Sequence, residues 1–152
     1  MSTARRAWLR AGALCLLVIA LDQGAKAAIE ADLVAGEHVH VFGPLDLTLA
    51  HNSGIAFGLA DGGGIALVVL TVAALALVGV LFARNPGRPW MWIAVGLLVG
   101  GALGNLIDRV RADAVTDYVD LLSWPPFNLA DVAITLGVVV LALSYAGEVE
   151  TR

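Results

Sequence analysis

Four apolar runs, each long enough to cross a bilayer as a helix, constrain this chain more than anything else in it. They cover roughly 7–28, 62–83, 89–107 and 128–147, and a hydrocarbon core needs about 20 apolar residues of helix. Composition agrees. The chain is 59% hydrophobic and only 14% charged, whereas soluble domains carry about 25% charged residues. Lipid leaves no partner for an unpaired backbone group, so each run is expected to be helical. The expected fold is a membrane all-α class: one integral membrane domain over residues 1–152, built as a four-transmembrane-helix bundle.

The basic residues orient it. Arg5, Arg6 and Arg10 precede the first run, and Arg84 and Arg88 occupy the short link between the second and third. The connection 29–61 holds no Lys or Arg, and 108–127 holds only Arg109 and Arg111 among its acids. The positive-inside rule then places both termini and the 84–89 link in the cytoplasm. Trp8, Trp90, Trp92 and Trp124 fall near the ends of runs, where an aromatic belt would put them. The start of the chain also has the outline of a secretory signal, with Ala25-Lys26-Ala27 as a small-x-small site. Asp22 and Lys26 are poor neighbours for a cleavable apolar region, so this run is expected to remain as a span.

The connection 29–61 is not a span. Val39 and Val41, then Leu45, Leu47 and Leu49, alternate across Gly43-Pro44. That pattern reads as two short strands around a turn. A small extracytoplasmic β-sheet is therefore expected between spans one and two. His38, His40 and His51 lie here without a cysteine or carboxylate in ligand spacing, so no metal is expected. The single cysteine, Cys15, sits in an apolar run and can form no intramolecular disulfide. The net charge of −4 and the lack of a basic cluster speak against a nucleic-acid partner. Gly96, Gly100 and Gly104 repeat at four-residue spacing in the third run, a pattern suited to close helix packing in lipid.

The polar residues inside this frame are few, and one membrane level collects them. Asp22 and Lys26 lie four apart on one helical face near the outer end of span one. Asn52 leads a glycine-containing stretch, Asn52-Ser53-Gly54-Ile55-Ala56-Phe57, into span two. Asn105, Asp108 and Arg109 close span three. Asp117 lies in the link that follows, and Asn128, Ala130 and Asp131 open span four. Each acid alone could be a helix cap or an ion-pair partner. Together they need a reason, because carboxylates and amides are costly to bury unpartnered. Two facing carboxylates can share a proton, one acting as general base on water while the other polarises a carbonyl. Asp117 and Asp131 are the candidate pair, and no serine beside a lysine or histidine competes as nucleophile.

These blocks resemble the bacterial lipoprotein signal peptidase (signal peptidase II) family. Five correspond in order: Leu21-Asp22-Gln23 with Lys26; Asn52 to Phe57; Gly104-Asn105-Leu106-Ile107-Asp108-Arg109; Val115-Thr116-Asp117-Tyr118; and Phe127-Asn128-Leu129-Ala130-Asp131 with Ile134. The resemblance implies an aspartic endopeptidase of the bacterial inner membrane, acting without a cofactor. Its partners would be membrane lipid and lipidated prolipoprotein signal peptides, cut just before the diacylglyceryl-modified cysteine. It implies catalytic positions for Asp117 and Asp131. Supporting or substrate-binding positions fall to Asp22, Lys26, Asn52, Gly54, Asn105, Asp108, Arg109, Asn128 and Ala130, with Asp108 holding the end of span three. A monomer is expected, with its site at the periplasmic interface. The chain departs from the family pattern at Ala25, often Thr, at Ile55, often small, and at Tyr118, usually Phe. The link between Asp117 and Asp131 is short.

Two other classes fit parts of the sequence. A proton-coupled transporter also carries acids in a small bundle, but along a path near the midplane. A membrane scaffold needs no paired carboxylates. Orientation is directly testable: a reporter fused after Arg152 and active only in the periplasm should be silent, and strong activity would overturn the placement of the polar residues at one outer level.

Overall fold

The computed structural model describes residues 2–53, 63–122 and 124–146. Four helices and four strands alternate in pairs. Helix α1 is Thr3–Asp32, followed by β1 His38–Phe42 and β2 Leu45–Asn52. Helices α2 Gly63–Arg84 and α3 Met91–Ala112 follow, then β3 Val115–Leu121, β4 Trp124–Phe127 and α4 Leu129–Ala146. All four helices are long and apolar enough to cross a membrane. Helix α1 outruns its apolar stretch in both directions. Ser2 caps its start by accepting a bond from the Arg5 amide at 3.3 Å, and the chain leaves helical geometry only at Leu33.

The sheet corrects the sequence reading. Its strand order is β1-β2-β3-β4, antiparallel throughout. The expected hairpin around Gly43-Pro44 supplies only half of it. The other half comes from the connection between α3 and α4. The reason that half was hidden is chemical. Strand β3, Val-Thr-Asp-Tyr-Val-Asp-Leu, has β-forming residues interrupted by carboxylates. Strand β4 contains Pro125 and Pro126, which read as a stop before a helix. Proline is tolerated there because β4 is the edge of the sheet, where an amide need not reach a neighbour.

Helix α3 is the axis of the bundle. In lipid there is little hydrophobic drive between helices, so close van der Waals contact must hold them. The glycine repeat on α3 supplies it against α1: a Cβ on Gly100 would lie 2.8 Å from Val18 Cβ and 3.0 Å from the Cys15 carbonyl oxygen. Gly101, turned the other way, lets α4 approach until such a Cβ would meet the Ala130 carbonyl at 2.5 Å. An apolar core of Ala7, Ala11, Phe82, Met91 and Val95 fills the end of the bundle away from the sheet. Helix α2 packs chiefly on α3 and leaves Val69, Leu70, Leu77 and Val80 on its open face.

The packing predicts a contrast between two glycines. Gly100→Ala forces a methyl against the Val18 side chain and the Cys15 carbonyl and should destabilise by roughly 1–3 kcal/mol, as overpacking does. Gly79→Ala meets nothing within 4 Å and should be neutral or slightly stabilising. Thermal unfolding in one detergent compares them; equal melting points would remove the close-approach argument.

Candidate active site

Nine of the candidate residues cluster at the sheet end of the bundle, in two connected layers. The deeper layer is built on one ammonium. Lys26 lies 2.8 Å from Asp22 and 2.6 Å from Asp108, with all three side chains buried. Asp22 and Lys26, four apart on one face of α1, therefore form an ion pair; it is enclosed, and α3 adds a second carboxylate to it. Gln23 closes the group by donating to Asp22, to the Gly104 carbonyl and to Asp108 at 2.9 Å. The other Asp108 oxygen accepts the Thr116 amide of β3 at 3.3 Å. Gly104 makes room for this layer, since a Cβ there would lie 2.6 Å from Asp22 Oδ2.

The shallower layer holds the proposed pair. Asp117 reaches it from β3. Asn52 pairs across from Val115, so Asn52 and Asp117 lie diagonally on one face of the sheet. Their side chains meet there, Asn52 Nδ2 donating to Asp117 Oδ2 at 3.0 Å. A bulge between Leu47 and Ala50 sets the register around Asp117. Asp131 reaches the layer from the first turn of α4, where a reciprocal capping box fixes it. The Asp131 amide donates to Asn128 Oδ1 at 3.0 Å, and the Asn128 amide donates to Asp131 Oδ2 at 3.3 Å. The remaining amides of that turn are also satisfied: Leu129 N donates to the Tyr118 hydroxyl and Ala130 N to Asp22 Oδ1.

Asn128 and Asn105 join the layers. Asn128 Nδ2 donates to Asp117 Oδ1 at 2.7 Å, so this one residue bonds both carboxylates of the pair. It also lies 3.1 Å from Asn105 Oδ1. That same oxygen accepts from Lys26 Nζ at 3.1 Å, while Asn105 Nδ2 donates to Asp131 Oδ1 at 2.8 Å. Burial is the main cause that lifts the Asp117 carboxyl from 3.8 to about 6. The bond from Asn52 opposes the lift, the negative charge of Asp131 adds to it, and Asn128 and Lys26 oppose it. Burial also pushes the Tyr118 phenol up, which keeps its hydroxyl intact beside Leu129.

Two candidates stand apart. Arg109 is half-buried, and its bond among the described residues runs to its own helix, from Nη1 to the Asn105 carbonyl at 3.4 Å. It does not pair with Asp108, whose partners are Lys26, Gln23 and Thr116. Gly54 lies outside the described residues, as does the rest of its block to Phe57. Sequence reasoning gave no role to Gln23, Glu30, Thr116 or Tyr118. Asp22, Gln23, Lys26 and Glu30 share one face of α1, and that polar stripe was the available signal. Thr116 Oγ1 donates to Glu30 at 2.7 Å, tying β3 to α1. Beside Asp131, an apolar cavity of about 250 Å³ is lined by Trp124, Phe127, Val132, Thr135 and Leu136.

Fold and site together define the class: a multi-pass membrane protein in which a helical bundle and a small sheet bring two carboxylates against one asparagine. A family model for signal peptidase (SPase) II matches residues 14–146. A lipoprotein signal peptidase of Moorella thermoacetica is 42% identical over 130 residues, covering 84% of this chain and 87% of the relative. One from Pseudomonas aeruginosa is 43% identical over 143 residues, covering 86% and 83%. A bacterial membrane enzyme solved by the in meso method superimposes with a TM-score of 0.84 at 28% identity, over 93% of this chain and 90% of that one. The chain belongs to the signal peptidase II family, and it is a membrane protease.

The raised Asp117 carboxyl predicts a pH dependence of stability. Its folded value, about 6, exceeds the ordinary 3.8. Its contribution is therefore complete below pH ~3.8 and is lost as pH rises through about 6. Asp117→Asn removes that dependence, so the variant should gain stability relative to the parent as pH climbs from 4 to above 6. Denaturant midpoints across that range measure the difference; a constant gap would show that Asp117 is not perturbed.

Proposed function

We propose that this protein is an aspartic endopeptidase that removes signal peptides from diacylglyceryl-modified prolipoproteins, cutting just before the lipidated cysteine. The observation that carries the reading is the Asn128 bridge, which bonds Asp117 from the sheet and Asp131 from α4 and so couples two carboxylates from different elements. Family membership supports the processing of lipoprotein signal peptides. The carboxylate pair supplies the chemistry.

One carboxylate takes a proton from water as its oxygen attacks the scissile carbonyl carbon. The other, protonated, donates to the carbonyl oxygen. Collapse of the tetrahedral intermediate breaks the C–N bond, and the leaving amine takes back a proton from the pair. Burial and mutual repulsion favour one shared proton, because ionising both acids at close range is costly. Asn52 and Asn105 each donate to one acid and hold the two in register. Asp22, Lys26 and Asp108, which touch neither acid of the pair, position the elements that carry it, and Ala130 lets α4 sit against α3. Arg109 and Gly54 complete the proposed supporting set. The apolar cavity beside Asp131 suits an uncharged side chain or acyl chain near the scissile bond.

The proposed setting is the bacterial inner membrane, with both termini cytoplasmic and a monomeric enzyme working at the periplasmic interface. Arg6, Arg10 and Arg88 share one cavity at the end of the bundle away from the pair, which supports that orientation. A lipid anchor on the substrate would then fix the depth of its scissile bond.

The test is cleavage of a diacylglyceryl-modified prolipoprotein by purified protein. Asp117→Asn and Asp131→Asn should each abolish turnover while the protein still inserts. The double variant should be little worse than either single one, because the pair acts as a unit. An unlipidated precursor should be a poor substrate. Near-normal turnover in either Asn variant would sink the dyad, and equal cleavage of both precursors would remove the positioning role of the anchor.

A further inference from the structure

The end of the bundle opposite the carboxylate pair holds a second built cavity, and the mechanism makes no use of it. Its volume is about 270 Å³, and it lies between the start of α1 and the turn joining α2 to α3. Arg6 and Arg10 project from successive turns of α1, and Arg88 faces them from the turn. Trp90 and Trp92 supply indole walls. Counting 1.5 Å per residue along α1, Arg6 lies about 30 Å from Lys26, so this cavity and the carboxylate site sit at opposite interfaces.

The charged groups are prepositioned. The Arg10 guanidinium lies over the Trp92 ring, 5.7 Å from its centroid. Arg88 donates to the Ser144 carbonyl at 3.0 Å and lies 3.8 Å over Tyr145, which fixes its direction. Among the described residues no carboxylate lines the cavity, and Arg6 and Arg10 form no ion pair. Trp90, which lines the cavity, takes a left-handed conformation, φ 58°, that a bulky side chain seldom adopts. Trp8 and Leu9, on the same stretch of α1, are exposed apolar residues.

We infer that this cavity binds the headgroup of an anionic glycerophospholipid from the leaflet at that end. Guanidinium groups match phosphate oxygens in paired geometry, and indoles settle at headgroup level. Basic pockets between transmembrane helices take such headgroups. A lipid fits better than a free anion because exposed Trp8 and Leu9 stand between Arg6 and Arg10 along α1, apolar surface on which acyl chains can lie. The bound lipid would clamp α1 to the α2–α3 turn.

The test uses the full chain solubilised from vesicles of equal phosphatidylglycerol and phosphatidylcholine, with retained lipids counted by native mass spectrometry. The parent should retain phosphatidylglycerol in preference. Arg6→Gln with Arg10→Gln, both exposed residues whose loss should spare the fold, should reduce that preference about tenfold or more. Arg5→Gln with Arg84→Gln removes the same charge outside the cavity and should leave the preference intact. Undiminished preference in the first variant overturns the site. An equal fall in the second shows general charge attraction and also overturns it. Displacement of the lipid by soluble glycerol 3-phosphate at matched concentration would make the ligand a free anion and overturn the lipid assignment.

Discussion

The ammonium of Lys26 holds the working end of this molecule together. It sits between Asp22 of its own helix and Asp108 of α3, and its third direction points to Asn105. A buried charge costs several kcal/mol to desolvate unless partners surround it. Here every oxygen of both carboxylates accepts at least one bond, from Lys26, Gln23, the Thr116 amide or the Ala130 amide. Those donors come from α1, β3 and α4. Satisfying one ion cluster therefore draws four elements to one point. Such a cluster is a weak source of net stability. Its effect is geometric: any other packing of these helices would strand charge in an apolar surrounding.

The shallower layer inherits its geometry from the deeper one. Asn105 faces both ways, accepting from Lys26 and donating to Asp131. Asp22 caps α4 through Ala130, and Asp131 belongs to that same first turn. The result is a pair of acids whose oxygens each meet a donor. Their environment is dry enough to raise Asp117 yet rich enough in amides to keep a carboxylate tolerable. That balance is what a shared proton requires.

The helices were legible in the sequence because lipid imposes a single rule, and apolar length obeys it. A close-packed face on α3 was legible too, since Gly96, Gly100 and Gly104 repeat at the spacing of one helical face, though α1 as its partner was not. That the polar residues gather at one end of the bundle followed from the alternating direction of successive spans. What stayed hidden were features that depend on partners distant in sequence. Nothing around Asp117 announces a strand, because β3 is sheet only when β2 lies beside it, and Pro125-Pro126 disguises the edge. The enclosure of Lys26 was invisible for the same reason: an Asp-x-x-x-Lys spacing looks identical at a wet helix end. Gln23 and Tyr118 reach across the fold to partners 85 and 11 residues away.

The mixed parentage of the sheet has a consequence for how the protein comes into being. Strand β2 leaves the ribosome well before β3, and Asn52 meets Asp117 across 65 residues. Until the connection after α3 has paired with the waiting hairpin, Asp117 has no register, and the first turn of α4 has nothing to set it against Asp117. A chain with three helices inserted thus carries neither acid in place. The two acids meet the same asparagine only when the last helix has docked, so the site assembles after every other element of the fold is in place.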